Sequence, residues 1–244
     1  MKKVKKLILL VTIPIFSFAL VIGLYFLIPH LTVTPVESGQ VLNSSIYTIK
    51  NGLSNVFFIK IDNDYIMFDA GSDANKLAAS MAEVGIKLEN VKWIFITHSD
   101  YDHVAGLSLF PNAKIYMGAD ELPLINGTKK RFIVFKDNSL SSGVKKEKIT
   151  FLHTEELLIG EILVESIIAP GHTIGSMVYL VNGKYLITGD AFRVSNGNIE
   201  NHPFPMDRRQ SKKTIEQLKD IINRSSIILT SHYGYYERLS FDKI

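Results

Sequence analysis

Four side chains that can bind a metal lie within six residues of one another, at His98, Asp100, Asp102 and His103. They follow the apolar run 91–96, which has the composition of a buried strand. A loop that leaves a strand can direct several short side chains at one point. Imidazole and carboxylate groups at this density favour a divalent transition metal, with zinc as the first choice.

Three further strand-like runs each end in one potential ligand beside a glycine. These ligands are His172, Asp190 and His232. Glycine allows the backbone to turn tightly, so the end of a strand can present its ligand without a clash. Seven ligand-type residues in four such places predict a metal site.

With these motifs the chain resembles the metallo-β-lactamase superfamily, whose signature is H-x-H-x-D-H, then a single His, a bridging Asp and a final His. The resemblance extends from about Ser45 to the C-terminus and includes Phe68-Asp69-Ala70-Gly71, which is similar to an early Asp-x-Gly of the family. It implies an α/β fold, the four-layer αββα sandwich. It also implies a site with two divalent metal ions, in which Asp69 orients ligands without binding metal. The implied ligands are His98, Asp100 and His172 for the first ion, Asp102, His103 and His232 for the second, and Asp190 as the bridge.

Asp100 departs from the common pattern, because the chain reads H-x-D-x-D-H where the signature has a second histidine. Its carboxylate adds negative charge and a harder donor, which makes manganese or iron alternatives to zinc. The change also leaves open a weak first site with one tightly held metal, or an Asp100 that binds nothing. The variant motif resembles the nuclease-like domain of competence DNA-uptake channels.

The activity implied by the resemblance is hydrolysis of an ester, lactone, thioester or amide in a small molecule. Paired metal ions lower the pKa of a shared water and so produce hydroxide near neutral pH. Asp102 is the candidate catalytic residue for handling the proton. The segment 170–176 looks like the third motif of glyoxalase II-like and lactonase-like members. The alternatives are a phosphodiesterase or nuclease, an iron-dependent dioxygenase, and a metal-binding module without turnover.

Three residues near the motifs are candidates for facing the substrate, namely Tyr101, His202 and Tyr233. Their side chains can donate or accept hydrogen bonds. The competing interpretation is a packing role at the rim of the site for the two tyrosines and a surface loop position for His202.

The N-terminal segment predicts a membrane partner and an extracytoplasmic domain. Lys2, Lys3, Lys5 and Lys6 precede an apolar run, 7–28, that as a helix would reach roughly 33 Å, enough for a bilayer core of about 30 Å. The lysines predict a cytoplasmic N-terminus. We expect an uncleaved anchor over 1–28, a linker over 29–44 and a catalytic domain over 45–244. The alternative is a signal peptide cleaved near Ala19, which would give a secreted protein.

Charge and composition limit the partners. The chain of 244 residues contains no cysteine, which excludes disulfides and thiolate metal sites. It has 27 Lys and Arg against 24 Asp and Glu, and without the four N-terminal lysines the balance is 23 against 24. A near-neutral domain argues against a nucleic-acid partner. The basic cluster Lys129-Lys130-Arg131 is interpreted as a solvated surface.

Local patterns predict several elements. Strands at 56–61 and 65–68 flank a turn at 62–64, and Asn182-Gly183 predicts a second hairpin. Ser72 or Asp73 is expected to cap one helix, and Ser211 another.

Overall fold

The computed structural model describes residues 2–28, 31, 36–40, 46–52, 54–131, 144, 146–195 and 197–237. The chain divides into two compact units, Met1–Val33 and Thr34–Ile244. The first contains α1 (Lys2–Leu27), with Pro14 inside the helix. Over the described residues, no helix has both the length and the apolar content needed to cross a bilayer. The structure therefore does not support the transmembrane helix predicted for 1–28.

Two main β-sheets form the second unit. The strands in chain order are β1 (Gly39–Gln40), β2 (Ile46–Asn51), β3 (Ser54–Ile61), β4 (Asp64–Phe68), β5 (Val91–Ile96), β6 (Lys114–Gly118), β7 (Ile149–Leu152), β8 (Glu155–Ile159), β9 (Ile162–Ile168), β10 (Met177–Val181), β11 (Tyr185–Gly189), β12 (Arg193–Ser195), β13 (Asn198–Glu200), β14 (Ile227–Thr230) and β15 (Tyr235–Glu237). Within the described residues, the first sheet has the order β1-β2-β3-β4-β5-β6-β7 and the second β8-β9-β10-β11-β14-β15, while β12 pairs with β13 separately.

Both predicted hairpins are confirmed. The strands β3 and β4 pair antiparallel around the turn that begins at Asp62, whose φ is 52°. The strands β10 and β11 pair antiparallel around Asn182 and Gly183, with φ of 50° and 62°. Two consecutive positive φ angles are what a type I′ turn requires, and Asn-Gly is the pair that adopts them most easily.

The further helices are α2 (Ala74–Glu83), α3 (Tyr101–Val104), α4 (Leu122–Ile125), α5 (Arg208–Gln217) and α6 (Lys219–Arg224). Asp73 caps α2, as predicted, because its side chain accepts a hydrogen bond from the amide of Lys76 at 3.0 Å. The prediction that Ser211 caps a helix is wrong. Asp207 caps α5 by accepting from two amides, so the helix begins one turn earlier and Ser211 lies inside it.

Three buried clusters show the layering. The largest aromatic side chains, including Phe57, Phe95 and Tyr179, pack between the two sheets. On the outer face of the first sheet a second cluster includes Leu77 of α2, and on the outer face of the second sheet a third includes Ile222 of α6. Helices thus cover the outside of both sheets, which is the α/β layering expected from the sequence.

Ligand-bearing loops leave the same edge of the structure. The strands β4, β5 and β6 run parallel in the first sheet, and β11 and β14 run parallel in the second. Parallel strands bring their carboxyl ends to one edge, where α/β proteins place their sites. The residues that follow β4, β5, β11 and β14 there include Asp69, His98, Asp190 and His232.

Candidate metal centre

The structure brings all seven predicted metal ligands together, with Asp190 at their centre. Its Oδ2 lies 3.1 Å from Nε2 of His232, 3.3 Å from Nε2 of His172 and 3.8 Å from Nε2 of His103. Its Oδ1 is buried and has no hydrogen-bond partner. A carboxylate that contacts three imidazoles occupies the position expected of a residue that bridges two metal ions. Metal ligation by Asp190 stays a prediction.

One group of ligand atoms belongs to Asp102, His103 and His232, and these atoms lie within 4.8 Å of one another. Nε2 of His232 is 3.2 Å from Oδ2 of Asp102, and Nε2 of His103 is 3.8 Å from the same oxygen. His103 is fully buried, and its Nε2 lacks a hydrogen-bond partner. A buried polar atom of this kind costs free energy unless a ligand satisfies it. This group therefore fits a divalent metal.

Asp69 lies against His103. Its Oδ2 lies 2.8 Å from Nδ1 of His103. The carboxylate also accepts hydrogen bonds from the amide and hydroxyl of Thr97 and from the hydroxyl of Ser231. Because the carboxylate is an acceptor, Nδ1 of His103 donates the hydrogen bond, and the ring is held with Nε2 facing the group.

The charges of the centre are strongly coupled. Burial disfavours the charged form of His103, but the carboxylates of Asp69, Asp102 and Asp190 outweigh it and raise its pKa to about 9. Burial likewise opposes ionisation of Asp102, but His103 and His232 outweigh it and hold its pKa well below the usual range. The surrounding histidines do the same for the pKa of Asp190. Asp102 and Asp190 are therefore ionised at neutral pH, as metal ligands must be.

Comparison with known proteins assigns the family. The family model described as the metallo-beta-lactamase superfamily matches residues 49–232. The chain belongs to the metallo-β-lactamase superfamily. A likeness to solved structures agrees on the fold: MEM-A1, a subclass B3 metallo-β-lactamase from a soil metagenome library, has a TM-score of 0.63 at 20% identity, over 82% of this chain and 80% of that one.

Curated relatives of the superfamily are hydrolases by name. A probable metallo-hydrolase of Methanocaldococcus jannaschii is 26% identical over 68% of this chain and 69% of its own length. The probable polyketide biosynthesis zinc-dependent hydrolase PksB of Bacillus subtilis is 26% identical over 75% and 70%. A probable hydroxyacylglutathione hydrolase of Encephalitozoon cuniculi is 28% identical over 63% and 51%. The chain is thus a metallo-hydrolase of the metallo-β-lactamase superfamily.

The other predicted group, His98, Asp100 and His172, contains an unexpected cation. Its ligand atoms also lie within 4.8 Å of one another. The guanidinium of Arg131, however, donates from Nε to both carboxylate oxygens of Asp100, at 2.9 and 3.1 Å. Its Nη2 lies 2.7 Å from Nε2 of His172 and donates to the carbonyl of Phe204 at 3.0 Å. This group is the part of the site in which the chain departs from the superfamily pattern. It does not fit a metal while Arg131 is hydrogen-bonded to Asp100 and His172.

The same cation affects the titration of His172. Burial disfavours the charged imidazole most strongly, and Arg131 and His98 add to it, so the pKa of His172 falls to about 4 despite the nearby carboxylates of Asp190 and Asp100. Since an arginine side chain only donates, Nε2 of His172 is the acceptor. His172 is therefore neutral and directs its Nε2 lone pair at Arg131.

Neither Arg131 nor Glu121 was predicted as a site residue from the sequence. The cluster Lys129-Lys130-Arg131 was interpreted as a solvated surface, but only the two lysines are exposed, and Arg131 is buried. A basic residue that ends a basic run gives no sequence signal for burial. The nearest hint was Asp100 itself, since a carboxylate that replaces a neutral ligand requires a compensating charge.

Glu121 connects two of the ligand loops of this metallo-hydrolase. Its side chain is fully buried. One carboxylate oxygen accepts from the amide of Ser99 at 2.7 Å, and the other accepts from the amide of Gly175 at 3.1 Å and from the hydroxyl of Thr173. Glu121 thus ties the loop after β5 to the loop after β9.

The three candidates for facing the substrate differ. Tyr101 is 60% exposed beside the ligand loop, so it is free to contact a substrate. His202 is buried, with Nε2 at 3.4 Å from Oδ2 of Asp190, and the surface position weighed for it is wrong. Tyr233 is also buried, and its ring packs edge-on against His202 at 5.4 Å. The loop 201–206 thus contributes a fifth histidine beside the centre.

Proposed function

We propose that the enzyme hydrolyses an ester, lactone, thioester or amide bond of a small molecule, with a divalent metal held by Asp102, His103 and His232 and supported by Asp190. The observation that carries the proposal is Nε2 of His103, which is buried without a hydrogen-bond partner, fixed by Asp69 and directed at two further ligand atoms. Zinc is the ion we expect, because three imidazole or carboxylate ligands with room for water suit it.

A divalent ion at this position supplies a Lewis acid that polarises the scissile carbonyl and acidifies water. The protein supplies the geometry and the proton acceptor. Oδ2 of Asp102 lies 3.2 Å from Nε2 of His232 within the ligand group, which leaves Oδ1 of the same carboxylate to accept a hydrogen bond from the attacking water and to handle its proton. Asp69 keeps the His103 ring in one tautomer while this happens.

Support for an acyl substrate comes from the relatives and the third motif. One relative is named as a hydroxyacylglutathione hydrolase, and hydroxyacylglutathione is an acyl compound. The motif Pro170 to Ser176, which resembles lactonase-like members, carries His172 into the centre. The near-neutral charge of the domain argues against a phosphodiester of nucleic acid as substrate.

The test is a substrate panel with protein purified without chelators. Zinc-loaded enzyme is assayed on an aryl acetate, a butyrolactone, an acyl thioester and a bis-aryl phosphate, beside His103→Gln, Asp102→Asn and the exposed control Lys130→Gln. We expect turnover of at least one acyl substrate, a fall of at least 100-fold in both site variants, and no change in the control.

Three results would overturn this proposal. Acyl turnover that survives His103→Gln would place the chemistry elsewhere. Turnover of the phosphate ester alone, with strong salt inhibition, would favour the phosphodiesterase. Activity that needs ferrous iron and oxygen would favour the dioxygenase.

The location of the enzyme is proposed from the sequence alone. We propose that the basic and apolar N-terminal segment exports the domain from the cytoplasm, with the segment either retained or cleaved. Cell fractionation with N- and C-terminal tags tests this. A full-length product in the soluble cytoplasmic fraction would contradict it.

A further inference from the structure

Arg131 lies where the two-metal pattern calls for an ion. Its guanidinium contacts two of the three predicted ligands of the first ion at the atoms that would bind metal, namely both oxygens of Asp100 and Nε2 of His172. The side chain of Arg131 is only 7% exposed, and it makes a third contact by donating a hydrogen bond from Nη2 to the carbonyl of Phe204.

The guanidinium of Arg131 and a metal ion would compete for the same ligand atoms, those of Asp100 and His172. Nε2 of His172 has one lone pair, which accepts the Arg131 hydrogen bond at 2.7 Å and so is not available to an ion. The single N–H of Arg131 Nε is shared between both oxygens of Asp100, so the guanidinium lies against the carboxylate where an ion would bind. A guanidinium does not lose its proton in proteins, so a divalent ion placed within this group would lie against a fixed positive charge at close range.

The charge balance supports the same conclusion. The common signature has a neutral histidine where this chain has Asp100, which adds one negative charge to the centre. Arg131 adds one positive charge at 2.9 Å from it. The charges of Asp100 and Arg131 compensate each other in this ion pair, in which Arg131 is buried and Asp100 partly buried, so removal of either member is expected to destabilise the group.

We propose that Arg131 takes the place of the first metal, so that the enzyme binds a single divalent ion in the group of Asp102, His103 and His232. The guanidinium is then the fixed positive charge beside that ion, on the side where the superfamily pattern has its other metal. This inference rests on the proposed function, since it assigns the metal count of the same site.

The experiment counts metal in the full chain, purified in detergent without chelators and then dialysed against excess zinc. Elemental mass spectrometry gives zinc per chain, and cobalt substitution gives an independent count from the absorption of the bound ion. We expect one ion in the wild type and one in Lys130→Gln, which removes a neighbouring but exposed positive charge. In the double variant Asp100→His with Arg131→Gln, we expect two ions, because the ion pair is removed and the new histidine completes a group of three with His98 and His172.

If the double variant does not fold, the single variant Arg131→Gln is used to test the inference. It frees the lone pair of His172, so a second and weaker cobalt titration step is expected that the wild type lacks. Two ions in the wild type would overturn the inference and leave the proposed hydrolase intact. An unchanged count of one in every folded variant would also overturn it. No bound ion in the wild type would overturn both the inference and the proposed function.

Discussion

Substitution of Glu121 by glutamine is expected to weaken the fold and the centre together. The oxygen of the new side-chain amide can accept from the backbone amide of Ser99 or from that of Gly175 but not from both. One buried N–H then faces the side-chain NH₂ group, which only donates. The hydroxyl of Thr173 can turn to Ser176, whose Oγ is 2.6 Å away, so this bond is largely replaced.

The magnitude follows from these contacts. An unsatisfied buried donor costs about 1–3 kcal/mol, and the loss of the carboxylate charge removes about 1 kcal/mol from the remaining bond. We therefore expect the free energy of unfolding to fall by about 2–4 kcal/mol. For a domain of this size, that corresponds to a fall in Tm of about 9 °C.

The assay is urea unfolding of the metal-free protein, followed by circular dichroism. The matched control is Asp120→Asn, which removes a carboxylate charge from the adjacent exposed residue and should stay within about 0.5 kcal/mol of the wild type. A loss below 1 kcal/mol for Glu121→Gln, or an equal loss in the control, would refute the tie between the two loops.

Three further outcomes are expected. Asp69→Asn should lower zinc affinity about 10- to 100-fold in a chelator competition, because the amide no longer fixes the His103 tautomer; unchanged affinity would contradict this role. The metal-free protein should lose up to about 3 kcal/mol of stability as pH rises from 6.5 to 9, because the folded state raises the pKa of His103 to about 9. The pKa of His232 is also raised, so this residue acts in the same direction. A urea midpoint that does not change over that pH range would contradict the prediction. Gly106→Ala should destabilise the fold by at least 2 kcal/mol, since its Cβ would lie 2.4 Å from the carbonyl oxygen of Ala70; a Tm within 2 °C of the wild type would contradict it.

Much of the fold could be predicted because its signals are local. The Asn182-Gly183 turn and the Asp73 cap depend on a few neighbouring residues, and both are confirmed. The Ser211 cap failed because Asp207 offers a carboxylate to two amides one turn earlier. Asp207 was not considered as a cap, because the helix was expected to begin one turn later.

The clustering of the seven candidate ligands could be predicted in the same way, since each follows a strand and the strands end at one edge. Arg131 and Glu121 could not, because their positions depend on tertiary contacts between segments far apart in the chain. His202 could be predicted only in part. Its loop was recognised, but its burial beside Asp190 arises from how the loop folds back. Polar residues buried by distant contacts carry no periodic pattern.

The two sheets each contribute one side of the metal centre. Asp102 and His103 follow β5 of the first sheet, whereas His232 follows β14 of the second. An ion bound by all three would join positions about 130 residues apart and would stabilise the folded chain, because the three ligands come together only on folding. A chain without cysteine would thereby gain a reversible cross-link between its sheets, which chelation opens and added metal closes again.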